Sequence, residues 1–162
     1  MNLQQKEILK VWIAAGLWLI VIAIESTPYM SMAYTARFLY PIFHFLFGMD
    51  RARFMIWHHY IRKTGHFVGY FTLSFLMFRA WRETLPRASR WAFRWAAIAF
   101  VVSVVVASLD EWHQTYIPTR TGLVSDVMLD SCAALVAQIV IFLWLRRRHA
   151  QKPLPAELSM TR

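Results

Sequence analysis

Four apolar runs, near 8–24, 66–81, 91–109 and 123–145, each approach the roughly 20 residues needed to cross a bilayer, and they dominate a chain of 162 residues. In hydrocarbon each backbone N–H and C=O has to be satisfied within its own segment, so runs of this length form helices. The expected fold class is all-α: a four-helix transmembrane bundle with spans near 8–24, 62–81, 91–111 and 123–145. The second run is short. Its helix is expected to start earlier, through Ile61 and Lys63, with its first turns facing protein or water instead of lipid.

Composition agrees with this class. Charged residues make up 17% of the chain, against about 25% in soluble domains. The 18 Lys and Arg outnumber the 9 Asp and Glu, but they sit between apolar runs and not on one soluble face, which argues against nucleic acid as a partner. The single cysteine, Cys132, excludes an intramolecular disulfide and is expected to be a buried small residue. Lys6 and Lys10 before the first apolar run resemble a signal peptide. Glu25, Ser26, Thr27 and Pro28 offer no small-x-small cleavage pattern, so the run reads as an uncleaved anchor.

With four spans, the N-terminus, the 82–90 connection and the C-terminal tail share one side, which carries 12 of the 18 cations. The positive-inside rule places that side in the cytoplasm, both termini included. Trp12, Trp81, Trp91, Trp95 and Trp144 flank the same side, while Trp57 and Trp112 fall near the outer ends, as an aromatic belt requires. Segment 28–62 is expected to lie along the outer interface or to re-enter partway, with Pro41 and Gly48 interrupting its longest apolar part. Residues 1–150 form the membrane domain on this reading, and 151–162, with two prolines, a disordered cytoplasmic tail.

The unusual polar residues gather at the outer ends of these spans. At about 100° per residue, Lys63, His66 and Tyr70 share a helical face, with His59 one turn earlier. An ammonium, an imidazole and a phenol in a row suit an anionic or polyhydroxylated headgroup; the plain structural alternative is a buried polar ladder between helices. At the end of the third span Asp110, His113 and Gln114 share a face beside Glu111, and Pro118 precedes Arg120 in the following loop. Asp126 and Asp130 stand one turn apart at the start of the last span. Asp126 is explained by the helix dipole, whereas Asp130 lies deeper and should meet a cation or a donor, with Lys63 and Arg120 as the expected partners. Glu25 ends the first span at the same level.

In order and interval these residues resemble the VanZ-like family of small bacterial membrane proteins, over roughly Ile24 to Trp144. The resemblance is carried by Lys-x-x-His-x-x-x-Tyr at Lys63, His66 and Tyr70, by Asp-Glu-x-x-Gln at Asp110, Glu111 and Gln114, and by Pro118, Arg120 and Asp126. Where the family has an Asn and then a Gly in its last span, this chain has Asp130 and Ala133. The resemblance implies the bacterial cytoplasmic membrane and an association of the founding member with teicoplanin, and hence glycopeptide, resistance. It supplies no reaction, because function belongs to the site and not to the fold.

The leading functional expectation is that the outer cluster binds or modifies an envelope lipid or lipid-linked headgroup. Lys63 and Arg120 would hold the anion, with Glu25, Tyr70, Gln114, Asp126 and Asp130 lining the site, and His66, His113, Asp110 and Glu111 would exchange protons if chemistry occurs. No cofactor is called for. One alternative is a metal-dependent membrane hydrolase in which His66, His113 and two of Asp110, Glu111 and Asp126 hold zinc or manganese. The absence of a His-Glu-x-x-His spacing and the competing charge of Lys63 weigh against it. Another is a non-catalytic structural or regulatory membrane protein whose polar cluster is internal glue.

Overall fold

The computed structural model describes residues 2–85 and 93–150, with side chains through Arg148. It is all-helical: α1 (Leu3–Glu25), a short 3-10 turn (Pro28–Met30), α2 (Met32–Phe47), α3 (Arg51–Thr84), α4 (Phe93–Gln114) and α5 (Val124–Ala150). The expected tail and the centre of the 82–90 connection, with Arg87, Arg90 and Trp91, lie outside the described residues.

Among the described residues three helices are long and apolar enough to cross a membrane: α1, α4 and the Val124–Arg148 part of α5. Only 17% of the most apolar stretch of α1 is buried, on a stripe of Val11, Ala15 and Ile22, leaving Ile13, Leu17, Ile20 and Ile24 exposed on the same helix. Water does not tolerate apolar surface of that extent on a monomer, whereas hydrocarbon does. The N-terminus of α1 is closed by a capping box, in which Asn2 Oδ1 accepts from the Gln5 amide at 2.8 Å and Gln5 Oε1 accepts from the Asn2 amide at 2.9 Å.

The expected second span falls within α3, which is not one of the three. At 34 residues α3 is about 51 Å long, and α1, α2, α4 and α5 all pack against it. A central helix meets protein on most sides, so it can carry polar groups that a lipid-facing helix cannot, and its hydropathy signal is correspondingly weak. Small residues let the neighbours approach closely: Ser74 on α3, Ala99 and Ser103 on α4, Ala133, Ala134 and Ala137 on α5 are all buried. Polar stitches join the helices where they meet. Trp18 Nε1 donates to Gly69 O at 2.8 Å, Ser74 Oγ donates to Ala134 O at 3.0 Å, and Gln138 Nε2 donates to Ser74 Oγ at 2.7 Å.

Segment 28–62 differs from expectation in two respects. Residues 51–61 are the first three turns of α3, continuous with its later part, and Pro41 sits inside α2 without interrupting it. The break comes at Gly48, whose left-handed backbone (φ 61°) ends α2, followed by Asp50, whose Oδ1 caps α3 by accepting from the Arg53 amide at 2.9 Å. α2 folds back on α3 through the Tyr40 and Phe43 rings, 5.4 and 5.6 Å from the Phe54 ring, and through Thr35 Oγ1, 3.0 Å from His58 Nε2. Two smaller expectations also fail. Cys132 is exposed and not buried, and Trp95 is a fully buried core residue against Phe78 instead of part of a belt.

Buried His58 ties α2 to pH. Desolvation first, and the neighbouring Arg62 second, hold its pKa below the ordinary value of 6.5. A lowered imidazole binds fewer protons folded than unfolded, so its contribution is intact above about pH 6.5 and is lost as pH falls from there toward the folded-state value. The protection factors of the amides across Met32–Phe47, the ratio of intrinsic to observed exchange rates, should therefore fall between pH 7.5 and pH 5, and His58→Phe should flatten that dependence. Protection factors equal at both pH values in the wild-type chain would contradict the assignment.

Candidate functional site

The polar residues converge at the end of the bundle where α1 and α4 finish and α5 begins, around α3. They form two tiers. The upper tier is a cleft of ≈ 150 Å³ whose lining includes His59, Arg62, Lys63, His66, Arg120 and Asp126. A neighbouring cleft of ≈ 200 Å³ shares Arg62 and His66 and adds Glu25 and Thr35, so Arg62 and His66 form the wall between the two. An apolar groove of ≈ 370 Å³ runs elsewhere between α4 and α5; with Gln138 as its only polar liner among the described residues, it offers nothing to bind a charge.

Each cation of the upper tier is anchored. Lys63 Nζ donates to Asp126 Oδ1 in an ion pair that is only partly exposed. Arg120 donates through Nη2 to Glu25 O and, at 3.1 Å, to Thr27 O, tying the α4–α5 loop to the end of α1. Arg62 Nη1 donates to Met30 O. Burial pulls the Arg120 guanidinium below its ordinary pKa while the fields of Asp110, Glu111 and Glu25 oppose that shift; a guanidinium keeps its charge regardless. Its Nε is buried and has no hydrogen-bond partner among the described residues.

The lower tier is acidic. His66 Nδ1 lies 3.5 Å from Asp130 Oδ2, and Asp130 is fully buried. Tyr70 OH donates to Asp110 Oδ2 at 3.2 Å. Glu111 Oε2 accepts from the Leu123 amide at 2.9 Å, which leaves Oε1 buried and without a partner among the described residues. Asp110, Glu111 and Gln114 share the buried face of the last turns of α4.

His113 stands apart. It points from the exposed side of α4, and its Nδ1 lies 3.0 Å from Ser26 Oγ at the end of α1. The expected partnership of Asp130 with Lys63 or Arg120 is corrected as well: Asp130 meets His66, Lys63 meets Asp126, and Arg120 meets backbone carbonyls. Arg62 joins the site although the sequence reading does not single it out. A signal for it exists, since Arg62 stands four residues before His66 and therefore on the same face.

The loop that delivers the Leu123 amide depends on one glycine. A Cβ at Gly122 would lie 2.6 Å from Thr115 Cγ2 and closer still to the Glu111 carbonyl oxygen. The Glu111 carbonyl is held in the backbone of α4 and cannot yield easily, so Gly122→Ala should displace the loop and cost about 1–3 kcal/mol. The check is the midpoint of thermal unfolding in detergent, with Gly16→Ala, which sits inside α1 and meets nothing within 4 Å, as the comparison that should not lower it.

Fold and site together define an all-helical protein of membrane type, with an anchored basic tier above a buried acidic one. The chain belongs to the VanZ/LLP1 family, whose family model matches residues 11–146. No curated protein and no solved structure matches it.

Proposed function

We propose that this protein is a bacterial cytoplasmic-membrane protein that binds, and if chemistry follows modifies, the anionic headgroup of an envelope lipid or lipid-linked molecule at the extracytoplasmic face. On this reading α1, residues 62–84 of α3, α4 and α5 are four spans, with both termini cytoplasmic in accord with the positive-inside rule. The observation that carries the proposal is the cleft holding Arg62 and Arg120 side by side, each fixed by a backbone carbonyl and each keeping further N–H donors of its five. Preorganised guanidinium forks suit phosphate oxygens. Lys63 contributes less than the sequence suggests, because Asp126 takes up its charge.

Mass spectrometry of lipids retained by the detergent-purified chain tests this. One class of anionic headgroup lipid should co-purify and should be lost in the Arg62→Gln/Arg120→Gln protein. Retention of the same lipid at the same level by that variant would end the proposal. An influence on teicoplanin susceptibility is a separate expectation, read by comparing a deletion strain carrying the wild-type gene with one carrying the double variant.

A further inference from the structure

We infer that the lower tier is a binding site for one divalent cation of the zinc or manganese type, held by His66 of α3, Glu111 of α4 and Asp130 of α5. One ligand atom from each lies within 4.8 Å of the other two. Bonds of about 2.1 Å at tetrahedral angles put ligand atoms roughly 3.4 Å apart, so side-chain rotation is enough to close the set.

The second observation is what these carboxylates lack. Among the described residues Asp130 Oδ1 and Glu111 Oε1 are buried without a hydrogen-bond partner and Asp130 Oδ2 has only the His66 ring, 3.5 Å away, and the two residues are 0% and 4% exposed. Buried acceptors in a native protein are paired, and an unpaired group asks for water or an ion. Two carboxylates facing one imidazole from three different helices are a set that a hard or borderline cation completes.

The surroundings fit the same role. Leu123 N–H holds the far oxygen of Glu111, and Tyr70 OH holds Asp110 beside the set; outer-shell bonds of this kind orient metal ligands. Lys63, whose charge would repel a cation, is neutralised by Asp126. Three protein ligands leave room for a further ligand, and His66 also lines the arginine cleft above. An anion held by Arg62 and Arg120 would thus approach the cation. That last link alone rests on the proposed headgroup function; the cation site does not.

Full-length protein, purified in detergent with its affinity tag removed, is to be titrated with Zn²⁺ and with Mn²⁺ in the absence of added lipid. One equivalent of at least one ion should bind, and His66→Gln and Asp130→Asn should each weaken it by about tenfold or more, the lower bound for disturbing a metal shell. His113→Gln, altering a residue outside the set, should bind as the wild type does. If a ligand variant fails to fold, Zn²⁺ protection of wild-type histidines from diethyl pyrocarbonate gives the answer: His66 protected and His113 still modified supports the site. No saturable binding to the wild-type chain, undiminished binding in folded ligand variants, or equal modification of both histidines overturns it. Such a failure leaves the lipid measurement standing, and loss of lipid binding in the arginine variant leaves the cation titration standing.

Discussion

Arg62→Gln combined with Arg120→Gln is expected to weaken binding of an anionic headgroup lipid about a hundredfold. A hydrogen bond to a charged group is worth about 1.5–3 kcal/mol, and removing two such bonds together amounts to about two decades of affinity or more. The glutamine amide stops short of the guanidinium Nη atoms that hold Met30 O, Glu25 O and Thr27 O, so those anchors loosen as the charge goes, and the unfolding temperature of the variant is read beside its affinity. Lipid exchange into nanodiscs carrying the purified variant measures the effect. Because the arginines lie near the surface of the site, the salt dependence of wild-type binding should vanish in the variant along with the affinity. An unchanged affinity, with wild-type unfolding temperature, would show that the cleft does not hold the anion.

The second large effect concerns stability. The Lys63–Asp126 pair is 31% and 19% exposed at its side chains, so solvent screens it in part and it lies between surface and fully buried pairs. Breaking a buried pair from one side costs about 3–5 kcal/mol because a charge is stranded. With partial exposure discounted, Lys63→Met or Asp126→Asn alone should cost about 1–3 kcal/mol. The double variant should recover a good part of that loss, a coupling of opposite sign to the two single effects. Unfolding midpoints of the four proteins in one detergent complete the cycle. Additive losses would mean that the two charges do not act as a pair. A normal midpoint with lost lipid binding in the arginine variant, set beside a lowered midpoint here, separates the cleft from its glue.

Much of the architecture is legible because it depends on local pattern. Runs of apolar residues announce α1, α4 and α5, and helical spacing puts Lys63, His66 and Tyr70 on one face, where each meets an acid from a neighbouring helix. The same arithmetic contains Arg62, which an interfacial reading of segment 28–62 conceals. Pro41 is a weaker breaker than its place in the sequence suggests: α2 runs through it, and the turn comes from the left-handed Gly48. α3 is the least legible helix, since the central helix trades hydropathy for polar contacts with its neighbours.

From its sequence alone this chain was bound to be helical, membrane-like in its apolar surface and polar at one end, because periodicity and run length are properties of single segments. Which acid faces which base was decided only by the packing. Asp130 met His66 and not Lys63, and His113 turned toward Ser26 and away from the buried carboxylates. Helical geometry sets the face a residue occupies. The axial slide and rotation that bring one face against another come from fitting small and large side chains across the interface, and a shift of one helical turn is enough to change every partner.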